Sequence, residues 1–86
     1  MREYALVFAR SARKELESLP ARVVRRIVPR IESLVTNPRP DGCKKLTGTK
    51  NLWRIRVGDY RVIYSIEDEV LTIEVISVRH RGDAYR

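Results

Sequence analysis

A chain of 86 residues, 43% of them hydrophobic, suffices for one domain with a small core, here taken as residues 1–86, and nothing in it suggests a second. Its 18 lysines and arginines against 11 aspartates and glutamates give a formal charge of +7, which favours a polyanionic partner, nucleic acid or acidic protein, over a neutral small molecule. One cysteine, Cys43, and one histidine, His80, exclude an intrachain disulfide or Cys/His zinc site, and no apolar run approaches the ~20 residues of a membrane span, so a cytoplasmic protein without metal or cofactor is expected.

Tyr4, Leu6 and Phe8 alternate with Ala5, Val7 and Ala9, which predicts a first strand covered at least in part on both faces. Ser11 offers an N-cap for a short amphipathic helix in which Ala12, Leu16 and Leu19 recur at helical spacing. Pro20 closes that helix and can open the next, since a first helical residue needs no N–H. Val24, Ile27, Val28, Ile31, Leu34 and Val35 then form one apolar stripe that ends before Asn37-Pro38 and runs on through Pro29, where a kink is expected. Residues 39–51 carry Pro40, Gly42 and Gly48 and read as a loop, with Lys44, Lys45 and Lys50 adding positive charge.

Residues 52–57 and 60–66 are two alternating runs joined by Gly58-Asp59, the signature of a tight hairpin. The turn sets the register, with Val57 opposite Tyr60, Ile55 opposite Val62 and Arg56 opposite Arg61. Strand alternation then puts Arg54, Arg56 and Arg61 on one face and Trp53, Ile55, Val57, Tyr60, Val62 and Tyr64 on the other. Like charges directly across a ladder are destabilising, so the arginine face points to an anionic ligand. A second turn at Glu67-Asp68-Glu69 leads into a strand over 70–78. Centring that turn on Asp68 and Glu69 places Tyr64 opposite Ile73 and Arg61 opposite Ile76, buries Leu71, Ile73 and Val75, and leaves Glu74 on the arginine face. The order is strand-helix-helix-strand-strand-strand, an α+β domain with two N-terminal helices on one face of a mainly antiparallel sheet.

The same register carries His80 onto the face of Arg54, Arg56 and Arg61, and Gly82 allows a turn that brings Arg81 and Tyr85 close. Cations with an imidazole and a phenol suit RNA cleavage without metal, in which a base deprotonates a ribose 2′-hydroxyl and positive groups stabilise charge on the phosphoryl oxygens. Trp53, Tyr60 and Tyr64 belong to the core by the same alternation, and the arginines along the second helix read as a solvated face.

These features together resemble the RelE/ParE superfamily of bacterial and archaeal toxins from toxin–antitoxin pairs. The resemblance runs through Leu19-Pro20, Asn37-Pro38, Lys45-Leu46-Thr47-Gly48, Trp53-Arg54-Ile55-Arg56, Gly58-Asp59-Tyr60-Arg61 with Tyr64, and Val78-Arg79-His80-Arg81 followed by Tyr85. It implies a RelE-like small ribonuclease fold and, for RelE-type members, a ribosome-dependent endoribonuclease, or mRNA interferase, that leaves a 2′,3′-cyclic phosphate. In that reading Arg54 and Arg56 lie near the scissile phosphate, Arg61 and Arg81 stabilise the transition state, Tyr85 orients nucleotide or proton transfer, and His80 acts as acid or base. Lys44 and Lys45 would touch RNA backbone. The partners implied are ribosome, mRNA and an acidic RelB-like antitoxin held in a hetero-oligomer. Some relatives carry lysine where this chain has Arg54 and Arg56, and arginine does not deprotonate at working pH, so proton abstraction passes to His80 or Tyr85. ParE-type members share the fold but inhibit DNA gyrase, which is the alternative function.

Overall fold

A computed structural model describes residues 3–82. Its strands and helices follow the expected order: β1 (Ala5–Phe8), α1 (Arg10–Glu17), α2 (Ala21–Glu32) with a 3₁₀ turn over Ser33–Val35, β2 (Lys44–Lys45), β3 (Leu52–Val57), β4 (Tyr60–Glu67) and β5 (Thr72–His80). The five strands form one sheet in the order β1-β5-β4-β3-β2. All neighbours are antiparallel except β1 and β5, which run parallel with Ala5 beside Thr72 and Phe8 beside Val75.

The core lies between α2 and one face of the sheet. Ile27, Ile31 and Leu34 come from the helical stripe, and Ile55, Val57, Val62, Tyr64, Ile66, Ile73, Val75 and Val78 from the strands. Tyr4, Leu6 and Phe8 pack against this cluster, whereas Ala5 and Val7 are exposed, so β1 is covered on one face only. Pro20 caps α2, and Pro29 lies inside that helix without dividing it. Ser11 does not cap α1: Ala9 holds that position with extended backbone, and the Ser11 hydroxyl donates instead to the Ile76 carbonyl at 2.8 Å. The expected 39–51 loop contains the two-residue strand β2, which extends the sheet beyond β3.

Gly58 takes φ +60 and no positive φ occurs at Asp59, the pattern of a type II′ turn, which suits the twist of a hairpin. The predicted register of β3 and β4 is observed throughout, Arg56 opposite Arg61 included. Between β4 and β5 the register differs. Tyr64 faces Val75, not Ile73, because the turn spans residues 68–71 with Leu71 at φ +47, and β5 begins at Thr72. Glu74 still pairs with Ser65 on the arginine face, and Ile73 and Val75 are buried, while Leu71 is half-buried.

One cluster ties the start of the sheet to this turn. Tyr4 Oη donates to Asp68 Oδ1 at 2.6 Å, Arg39 Nη2 donates to Asp68 Oδ2 at 3.0 Å, and the Arg39 guanidinium lies 4.9 Å from the centre of the Trp53 ring. The Arg39 hydrogen bond, seconded by Tyr4, holds the Asp68 carboxyl below its ordinary value. Tyr64 Oη donates to the Pro38 carbonyl at 2.7 Å, and burial pushes that phenol well up, so it stays protonated.

Candidate RNA-binding face and the cleft behind it

The decisive feature of β5 is a bulge. Tyr64 pairs with Val75 but Ile63 pairs with Ser77, so one extra residue enters β5 and every side chain beyond it changes face. Sequence alternation carries no signal for such a residue beyond the spacing of Val75 and Val78, both buried and three apart rather than two. Arg61 therefore faces Arg79, not Ile76, and His80 faces Tyr60.

Two consequences follow for the predicted site. Arg56, Arg61 and Arg79 occupy directly opposed positions on β3, β4 and β5, one row of three arginines across the sheet. Directly opposed residues have Cβ atoms about 5 Å apart, close enough for one phosphate to meet more than one guanidinium. Arg54 stands two residues along β3, with Lys44 opposite it on β2 and Ile63 on β4. Arg54 is buried, at 8% exposure, whereas Arg56 and Arg79 are exposed and Arg61 is half-buried. A permanently charged group set that deep acts through less water than a surface cation and is screened less by salt.

The second consequence corrects the position of His80. It lies not among the arginines but on the core side at the end of β5, its ring edge-on to Tyr60 with centroids 5.3 Å apart and planes at 88°. Arg81 N donates to the Asp59 carbonyl at 2.7 Å and carries the ladder one residue further, in step with Arg79. Lys44 shares the arginine face, Lys45 pairs opposite Trp53 on the other one, and Lys50 is exposed in the bend before β3. Tyr85 lies outside the described residues. Arg79 is the site residue that periodicity alone passes over, since it enters only through the bulge.

Two hollows of the surface lie toward the helices, and of the row only Arg79 lines either of them. A cleft of about 460 Å³ opens between the end of α1 and the strand ends, with Glu15, Ser18 and Leu19 on one wall and Tyr60, Val78, Arg79 and His80 on the other. A smaller one of about 250 Å³ lies between α2 and the hairpin turn, with Arg22 and Arg26 facing Asp59 and, again, Tyr60 and His80. The arginine row is an open surface by contrast, a shape that suits an extended backbone better than an enclosed small molecule.

Comparison with known proteins agrees with this fold. The family profile described as "ParE toxin of type II toxin-antitoxin system, parDE" matches residues 6–85. Toxin RelG of Mycobacterium tuberculosis is 34% identical over 87 residues, covering 96% of this chain and 97% of that protein. Toxin RelE of the same organism is 30% identical over 84 residues, 96% of this chain and 87% of its own. Among solved structures, the toxin chain of the archaeal RelE–RelB complex from Pyrococcus horikoshii superposes with a TM-score of 0.81 at 34% identity, over 93% of this chain and 97% of that one. The isolated RelE toxin of E. coli gives 0.80 at 29% identity, over 95% and 90%. In sequence and in fold alike, the chain belongs to the RelE/ParE superfamily, as a RelE-type toxin of a toxin–antitoxin system.

Proposed function

We propose that this toxin is a ribosome-dependent mRNA endoribonuclease that works by attack of a ribose 2′-hydroxyl on the adjacent phosphorus, without metal, giving a 2′,3′-cyclic phosphate and a free 5′-hydroxyl. The observation that carries this reading is the Arg56–Arg61–Arg79 row, three like charges aligned across three strands with Arg54 set beside them. Such a row stabilises charge that develops on the non-bridging oxygens in the transition state, which is where electrostatic catalysis gains most. Lys44, and from the loop Lys45 and Lys50, would meet the flanking backbone, Arg81 would extend the row, and Tyr85 would handle the proton. His80, turned away from the row, serves the Tyr60 contact rather than proton abstraction.

The toxin would act in the cytoplasm, where ribosomes are, and among the described residues no helix is long and apolar enough to cross a membrane. Several solved relatives are held in RelE–RelB complexes, and a net charge of +7 favours an acidic, RelB-like antitoxin that covers the basic surface in a hetero-oligomer. The ParE description of the matching family supports a second reading, inhibition of DNA gyrase. One experiment separates them: sequencing mRNA 5′ ends after a brief pulse of expression. Cuts in frame within translated codons uphold the ribonuclease; intact mRNA with altered DNA supercoiling upholds the gyrase inhibitor.

A further inference from the structure

Helix α1 does for the second half of β5 what a neighbouring strand does for the first. The β1–β5 pairing ends at Phe8 and Val75, and beyond it Ser11 Oγ donates to the Ile76 carbonyl at 2.8 Å while Glu15 Oε1 accepts the Val78 N–H at 2.9 Å. Ser11 and Glu15 are four residues apart, hence on one face of the helix. Glu15 uses its second oxygen differently: Oε2 lies 2.7 Å from Arg79 Nε. The carboxylate sits in the last turn of α1, where the helix dipole disfavours negative charge, so helix stability does not account for it. An ion pair with side chains 24% and 52% exposed adds little stability by itself. What it does is fix a direction.

We propose that Glu15 is a positioning residue for phosphate recognition by the arginine row. By accepting from Nε it sets the plane of the Arg79 guanidinium. The Nη1–Nη2 edge makes no hydrogen bond to another described residue and matches two non-bridging oxygens of an RNA phosphate. The bulge enters here as well: it delivers Arg79 to the row and leaves the Val78 N–H facing α1, so one carboxylate anchors both the strand and the cation. This inference rests on the RNA-cleaving reading of the site.

The test is Glu15→Gln in the full-length toxin, which keeps an acceptor for the Val78 N–H and removes the charge beside Arg79. Single-turnover cleavage on programmed ribosomes should slow roughly tenfold, as for a reacting group held slightly out of place, with ribosome affinity and melting temperature unchanged. In an Arg79→Lys background the same substitution should add nothing, because the planar fork it orients is gone. A readout independent of activity is the Arg79 Nε–H signal in ¹H–¹⁵N spectra, shifted and slow to exchange in the wild type and lost in Glu15→Gln. Wild-type cleavage that Glu15→Gln leaves undiminished, or slows equally in both backgrounds, overturns the positioning role alone. A wild-type toxin that makes no cuts overturns the function and this inference with it.

Discussion

Arg61 and Arg79 stand directly opposite each other on β4 and β5, with Arg56 opposite Arg61 on its other side. Arg61 is thus the central cation of the row, and Arg61→Ala removes the charge nearest its middle. The expected loss is about 3 kcal/mol in the chemical step, roughly a hundredfold in single-turnover rate. The fold should survive the change, since Arg61 lies outside the buried apolar cluster. Cleavage assays paired with denaturant melts check both halves.

Because the bulge turns His80 toward Tyr60, His80→Ala should reduce cleavage far less than Arg61→Ala, by under about tenfold against the 10²–10⁴ expected of a lost general base. It should cost on the order of 0.5 kcal/mol in stability through the edge-to-face pair. A pH–rate profile unchanged in this variant, measured from pH 5.5 to 8, would agree. Loss of an acid limb near neutrality would return the imidazole to the reaction.

At Gly58 the backbone is left-handed, and an added Cβ would come 3.0 Å from Arg26 Nη2. That neighbour is the tip of a long side chain and can yield, so the φ of +60 dominates. Gly58→Ala should cost about 1–2 kcal/mol. Arg26→Ala should not rescue it, and a double-mutant melt decides the point.

The Asp68 carboxyl, held low chiefly by Arg39, contributes stability at pH values above the unfolded aspartate pKa of about 3.9 and loses it as pH falls through the lower folded value. Asp68→Asn should therefore melt below the wild type at pH 6 and converge with it in acid. Since the cluster is exposed, the gap at pH 6 should narrow in high salt. A gap that persists at pH 2 would contradict the assignment.

Much of this architecture is legible in the residues because each signal is local. Gly58-Asp59 sets one hairpin, the Ile27-Ile31-Leu34 stripe sets α2, and alternation sets the faces of β3 and β4. The β4–β5 register is not local in that sense. Its turn is longer than the charged triplet Glu67-Asp68-Glu69 suggests, and the extra residue after Val75 leaves an apolar Ile76 that resembles a core position. The bulge is stabilised from outside the strand, by Ser11 and Glu15 more than sixty residues earlier, and no window along the chain contains both parties. That is why alternation alone passes over Arg79 and puts His80 on the wrong face, while it places Arg54, Arg56 and Arg61 correctly.

The parallel pairing of β1 with β5 joins the first strand to the last, Ala5 to Thr72. Closing so long a loop carries an entropy cost, because distant segments must come together before their contacts form. The third arginine of the row and the pairing partner of the N-terminal strand lie on one and the same strand, β5. A chain cut short before residue 72 consequently lacks both the strand that pairs with β1 and the arginine that completes the row.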